Sequence, residues 1–296
     1  SLDLRNANII YLINSTGNYN LYCIDIDTVP NYTTIDPWTS LSNDCQSEIP
    51  GCMDNTTINY NPNATINNGS CIYEKTYVPD DNFEAYLEAN GMGDGITNND
   101  SVYTHLIAIE TYLNISYNSI ADLTGIEDFD SLTTLYCNGN QLTSLDVSNN
   151  TALTNLYCYN NQLTSLDVSN NTALTYLNCY NNQLTSLDVS NNTALTYLYC
   201  QVNQLTSLDV SNNTALTSLY CHNNQLTSLD VRNGNNINMY NPNFTSNYNL
   251  YCIDVDNAAY STANWGNIDH WNNFSDNCQN EIYGCTDPTV SNYNPN

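Results

Sequence analysis

Between Leu132 and Val231 apolar and polar positions alternate to one fixed scheme, LxxLxCxxNxLxxLxVxxNxx, with a period of 21 residues. From Leu142 the chain reads LTSLDVSNNTALTNLYCYNNQ, near-copies start at Leu163, Leu184 and Leu205, and a partial copy starts at Leu226. Short alternating stretches such as Leu135-Tyr136-Cys137 and Leu145-Asp146-Val147 have the inside-outside period of a strand, and the intervening GN, NN and SNN segments are turn chemistry. A unit this short cannot bury its apolar side alone, whereas stacked copies can, each adding a layer of Leu, Cys and Val to one core. The pattern therefore predicts a repeat solenoid with short parallel strands on two faces across a thin core. The recurring Asn at 140, 161, 182, 203 and 224 fits an inward position, its amide bonding turn backbone and the next coil, because an unpaired buried amide would cost about 1–3 kcal/mol. A second column, Asn150, Asn171, Asn192 and Asn213, is expected to do the same at the opposite corner.

The motif LxxLxCxxN followed by LxxLDVSxN is similar to the 21-residue leucine-rich repeats of secreted bacterial surface proteins, notably those of Bacteroidetes. The stretch 112–131 (YLNISYNSIADLTGIEDFDS) looks like an ordinary 22-residue leucine-rich coil. Upstream, VPDDNFEAYLEANGMGD at 78–94 resembles the helical cap of such arrays: Pro79 and Asp80–Asn82 as start signals, Phe83, Tyr86 and Leu87 as an apolar face, Gly91 as the stop.

A longer period relates the two ends. SLDLRN at 1–6 matches SLDVRN at 228–233, NYNLYCIDID at 18–27 matches NYNLYCIDVD at 247–256, and NDCQSEIPGCMD at 43–54 matches DNCQNEIYGCTD at 276–287. The offset drifts from 227 through 229 to 233. The expectation is a chain cut from tandem modules: residues 1–50 as the end of a preceding leucine-rich module with a connector, 51–73 as a Cys-bounded linker, 78–231 as the solenoid with its cap at 78–94, 232–283 as a second connector and 284–296 as the start of a second linker. A two-copy protein trimmed at its ends is the alternative.

The 12 cysteines sort into two chemistries. Nearness in sequence pairs Cys23 with Cys45, Cys52 with Cys71 and Cys252 with Cys278, leaving Cys285 without its mate. Paired cysteines in small loop-rich segments imply an oxidising, extracytoplasmic compartment. Cys137, Cys158, Cys179, Cys200 and Cys221, each 21 from the next, are expected as a buried ladder of free thiols, since free cysteine buries as a small hydrophobe. The column is linear and no His recurs beside it, which argues against zinc.

Composition narrows the functional classes. Lys plus Arg is 3 against Asp plus Glu 30, a net charge of −27, and Asn occupies 56 positions. Arg5, Lys75 and Arg232 cannot neutralise a nucleic-acid backbone, and the charge argues against anionic membranes. No run of eighteen apolar residues exists to span a bilayer. There is no GxSxG, HExxH, P-loop or dinucleotide fingerprint, and His105, His222 and His270 share no repeat position, so no catalytic residue is assigned and the chain reads as a non-enzyme.

Asp146, Asp167, Asp188, Asp209 and Asp230 form an outward column, where neighbours ~4.8 Å apart repel by only about 0.9 kcal/mol in bulk-water dielectric. Divalent cations would relieve it, but a solvated stripe suffices. Calcium is the one cofactor considered. Its candidate ligands are Asp54, Asn59, Asn61, Asn63 and Asn67 in the Cys52–Cys71 loop, Asp25 and Asp27 with their counterparts Asp254 and Asp256, and the cluster Asp94, Asn98, Asn99 and Asp100. The same side chains also serve as turn formers.

Tyr136, Tyr157, Asn178, Tyr199 and Tyr220 form an outward column on the first strand, with Asn138, Tyr159, Tyr180, Gln201 and His222 beside it. Such a surface suits sugar stacking or packing against another copy, and sheet propensity explains it equally well. Thirteen NxS/T sequons matter only where Asn is glycosylated. The leading expectation is an extracellular tandem-module fibre assembling with copies of itself. The alternative is a calcium-dependent adhesin that binds glycans or surface proteins through the solenoid.

Overall fold

The computed structural model describes residues 49–280 throughout, and in the first 42 residues the strands Leu2–Asp3, Ile13–Asn14, Cys23–Asp25, Thr33–Thr34 and Ser40–Ser42. Two compact units divide at Lys75: residues 1–75 and residues 76–296.

The second unit is a parallel-stranded leucine-rich-repeat solenoid. One sheet stacks six strands, Tyr112–Asn114, Thr134–Tyr136, Asn155–Tyr157, Tyr176–Asn178, Tyr197–Tyr199 and Ser218–Tyr220. Register is strict, so Leu113, Leu135, Leu156, Leu177, Leu198 and Leu219 lie side by side. Each full coil contributes six apolar side chains to the core. In the coil that starts at Leu153 these are Leu153, Leu156, Cys158, Leu163, Leu166 and Val168, all buried. Because side-chain direction alternates along a strand, the central Leu turns in and its two neighbours turn out.

The opposite face is less regular. Its sheet holds four strands, Ser207–Asp209, Ser228–Asp230, Cys252–Asp254 and Asn273–Ser275. Further towards the cap it thins to the single bridge Asp146↔Asp167. Two of the four strands lie in residues 232–283, which were expected to form a separate connector. That segment instead continues the winding: Asp230 pairs with Asp254, Cys252–Asp254 with Asn273–Ser275, and Tyr220 bridges to Asn243. Phe244, Leu250, Ile253, Val255, Trp265 and Phe274 extend the same core. A change of period hid this, because the step from Asp230 to Asp254 is longer than the repeat and the next one carries a helix, Ala258–Asn264, where the repeat has turns.

The opening cap is a helix over Asp81–Ala89. Asp80 caps it, one carboxylate oxygen accepting from the backbone N–H of Asn82 and Phe83 at 3.0 Å. The other accepts from Ala121 and Asp122, which ties the cap to the first coil. Phe83 and Leu87 are fully buried, and Gly91 ends the helix at φ 77°.

In the first unit, Cys52 and Cys71 are joined by a disulfide, and Pro50–Gly51 pairs in parallel with Ile66–Asn67. Leu2–Asp3, Cys23–Asp25 and Ser40–Ser42 form a parallel ladder, Asp3 opposite Asp25. The counterparts by sequence, Asp230, Cys252–Asp254 and Asn273–Ser275, form the same ladder in the second unit. Cys45, Asp27 and Cys285, and the side chains of Cys23 and Asp25, fall outside the described residues.

Candidate functional site

The inward asparagines hold the coils at their pitch. Asn182 donates from Nδ2 to the carbonyls of Cys158 in the preceding coil and Cys179 in its own, both at 3.1 Å, and its Oδ1 accepts from the Leu163 N–H at 3.0 Å. Asn161, Asn203 and Asn224 repeat this set, and Asn140 holds Ile115, Asn118 and Ile120 of the preceding coil and Cys137 of its own. The second column donates in the same manner, Asn171 to Val147 and Asn150, and Asn192 to Val168 and Asn171.

Behind the first sheet, Cys137, Cys158, Cys179, Cys200 and Cys221 are free and 0% exposed. Burial pushes the thiols of Cys137 and Cys179 up to about 12, and those of Cys158, Cys200 and Cys221 move the same way for the same first reason. They are protonated packing atoms. In the last coils Cys252 is disulfide-bonded to Cys278.

The tyrosines in front of that sheet form a ladder. Tyr136 and Tyr157 stack with ring centroids 4.1 Å apart and planes 4° from parallel, and Tyr199 and Tyr220 stack at 5.1 Å and 19°. Asn178 would break the column, but Tyr176 leans in, 4.7 Å from Tyr157 and 5.5 Å from Tyr199. Tyr112 and Tyr197 extend the run, at 5.7 Å from Tyr136 and 5.4 Å from Tyr176. Beside it Tyr159 and Tyr180 stack at 4.8 Å. Burial, followed by contact with the Tyr136 hydroxyl, pushes the Tyr157 phenol up to about 12. The phenols of Tyr159 and Tyr176 also rise, burial first. These three phenols therefore present O–H donors at neutral pH. In the three stacked pairs one ring face of each tyrosine is turned to its neighbour, while Tyr112 and Tyr197 stand exposed.

Tyr112, Tyr176 and Tyr197 were missing from the sequence-derived surface. They occupy the strand position before the central Leu, and alternation alone makes that position outward. Asn138 is a correction in the other direction. It was placed on the outward column but is buried, 2% exposed. The 22-residue coil before it loops over at Tyr117 and Ser119, both left-handed, and Ser116 Oγ donates to Asn138 Oδ1 at 2.8 Å.

On the other face Asp146, Asp167, Asp188 and Asp209 each accept from the backbone N–H of the Ser two residues on, at 2.8–2.9 Å. Bonds from Ser148 and Ser169 hold the carboxyls of Asp146 and Asp167 below the usual range, and Ser190 does the same for Asp188. Several of the oxygens considered for calcium accept hydrogen bonds from the protein itself. Asp54 accepts from Thr56 and from the Tyr73 hydroxyl, Asn59 joins Ser70 to Ile72, and Asn61 and Asn67 accept from Asn63 and Gly69. Asp94 accepts from Ile96, Asn99 and Ser101. Asp254 accepts from Cys278, and Asp256 from Gly234 and Asn236. Among the described residues one acidic group converges, Asp81, Glu84 and Asp100, where buried Glu84 already accepts the N–H groups of Asn99 and Asp100. No helix among the described residues is long and apolar enough to cross a membrane.

Comparison with known proteins agrees with this geometry. The family described as Leucine Rich repeats (2 copies) matches residues 111–150, 151–192 and 193–234. Internalin J of Listeria monocytogenes serotype 4b (strain F2365) is 42% identical over 88 residues, 30% of this chain and 9% of its own length. The solved functional domain of InlJ from Listeria monocytogenes, which includes a cysteine ladder, superposes with a TM-score of 0.50 at 37% identity, over 62% of this chain and 48% of that one. The internalin InlF of Listeria monocytogenes strain F2365 superposes with a TM-score of 0.52 at 24% identity, over 65% of this chain and 64% of that one, a likeness of fold. The chain thus spans less than two thirds of each. It carries an internalin-like solenoid of the bacterial surface type, which is not an enzyme fold, and it belongs outside the cell or on its surface.

Proposed function

We propose that this chain is an extracellular adhesin module that binds a partner, glycan or protein, through the tyrosine face of its first sheet. The observation that carries the reading is the contrast between that face and the rest of the chain. The outward positions of its six strands hold Tyr, Asn, Thr and Ser and no charged side chain, in a protein of net charge −27. Aromatic, uncharged surface in an otherwise acidic molecule is the composition of an interface centre rather than of a solvated wall. The likeness to internalins, one of them solved as a functional domain built on this solenoid, favours the adhesin over the fibre. The LxxLDVSxN form of the repeat keeps a Bacteroidetes-type surface protein within the same reading.

The test is adhesion of beads coated with the full chain to surfaces bearing glycans or extracellular-matrix proteins. Replacing Tyr157 and Tyr180 by Ala should weaken adhesion about tenfold or more, the loss of ~1.4 kcal/mol or greater expected of aromatic anchors. Asp167→Asn with Asp188→Asn on the other face should leave it unchanged. Ordered fibres of purified chain, with no adhesion to any surface, would overturn the reading.

A further inference from the structure

The tightest contact in the ladder points to chemistry as well as recognition. Tyr136 and Tyr157 sit directly opposite each other on parallel strands in register, 21 residues apart in sequence. At 4.1 Å and 4° their rings are closer and more nearly parallel than those of the other tyrosine pairs along this face. Extending from opposite positions on parallel strands with their ring planes parallel, the two rings lie face to face, which brings their carbon edges within reach of one another. We propose that this pair is a modification site: oxidation by hydrogen peroxide and a peroxidase joins Tyr136 and Tyr157 as a dityrosine, a covalent staple between adjacent coils.

The step balances. Each phenol gives up one electron and one proton, leaving two phenoxyl radicals. Their ortho carbons form a carbon–carbon bond, and the hydrogen on each of those carbons moves to its ring's oxygen to restore aromaticity. Two electrons and two protons leave in all, and they reduce one hydrogen peroxide to two waters. The oxidant class is one that a protein of an oxidising compartment meets, and the Cys52–Cys71 and Cys252–Cys278 disulfides place this chain in such a compartment.

Two further features direct oxidation to the pair. Tyr112, 55% exposed and 5.7 Å from Tyr136, offers an entry point, and the continuous run of rings lets the electron deficit move inward. The alternative sink, the thiols of Cys137 and Cys158, lies on the inner side of the same strands, fully buried. Peroxide attacks thiolate rather than thiol, so these sulfurs are shielded twice, by access and by protonation.

The inference does not depend on the adhesin reading, because it needs no binding partner. The full chain at low concentration is treated with peroxide and peroxidase, then followed by dityrosine fluorescence and peptide mass mapping. The expected product is a monomer in which the peptides carrying Tyr136 and Tyr157 are linked with loss of two hydrogens. Tyr136→Phe or Tyr157→Phe keeps the ring stack and the melting curve and should abolish that link, whereas Tyr159→Phe should leave it intact. Links only between chains, links only among other tyrosines, or oxidation confined to cysteine would each overturn the proposal. So would a link that persists in Tyr157→Phe.

Discussion

The Asn182 carboxamide serves four backbone groups of two coils at once, the carbonyls of Cys158, Cys179 and, at 3.4 Å, Tyr180, and the Leu163 N–H. Asn182→Ala removes every partner and leaves buried polar groups behind, so the chain should lose about 3 kcal/mol in urea unfolding. A neighbouring position shows the opposite sign. The residue before each inward Asn takes a left-handed backbone, with φ 69° at Gly139, 55° at Asn160, 52° at Asn181 and 54° at Asn223, and in the fourth coil that residue is Val202, φ 55°. A β-branched side chain is strained there, by roughly 1–2 kcal/mol for an L-residue. Val202→Asn restores the repeat's own solution and should raise the melting temperature. The thiol ladder gives a pH dependence. Cys137 and Cys179 ionise near the ordinary 9.0 when unfolded but only at about 12 when folded. Between those values the unfolded chain holds fewer protons, so stability is intact below pH 9 and falls as pH rises towards 12. Alkaline unfolding followed by circular dichroism checks the direction, and a thiol reagent at pH 8 should label none of the five until the chain unfolds.

At the scale of elements, the cap and the repeats were legible for different reasons. The repeats follow from period alone: six inward apolar positions per coil and a turn asparagine leave one way to bury the Leu stripe. The cap was legible from Asp80, Phe83, Leu87 and Gly91, each in a position with a local physical meaning. Less visible was the second task of Asp80, whose other oxygen binds Ala121 and Asp122 from a coil 41 residues away. No local pattern encodes such a contact. Asp80→Ala should therefore cost more than the ~1 kcal/mol of an ordinary N-cap, and hydrogen exchange should quicken at 81–89 and at 121–122 together. The tyrosine face was half legible. Period found Tyr136, Tyr157, Tyr199 and Tyr220, but only the fold shows that Tyr176 leans across the gap at Asn178 to meet both Tyr157 and Tyr199. The coils after Val231 were missed because the spacing changes there, Asp230 pairing with Asp254 and Tyr220 with Asn243, before Cys252–Asp254 against Asn273–Ser275 returns to the repeat's own step. The apolar spacing itself persists there, Leu250, Ile253 and Val255 standing as Leu226, Leu229 and Val231 do, but without the SNN turn motifs that mark the repeat.

For the solenoid as a whole, stability is a sum over layers and the contacts between them, so a layer removed in register should be tolerated. Deleting residues 163–183, one full period, should yield a folded chain with a lower melting temperature, whereas deleting ten residues should not fold. The layers are not equivalent at the two extremes. Near one, the cap helix is held by hydrogen bonds and by Phe83 and Leu87. Near the other, Cys252 and Cys278 tie two neighbouring turns covalently. Thermal fraying can loosen the first and not the second. Under a steady pull the protein should behave as a spool with one knotted edge, paying out its windings in order from the helix towards the knot, with the direction of travel reversed only after reduction.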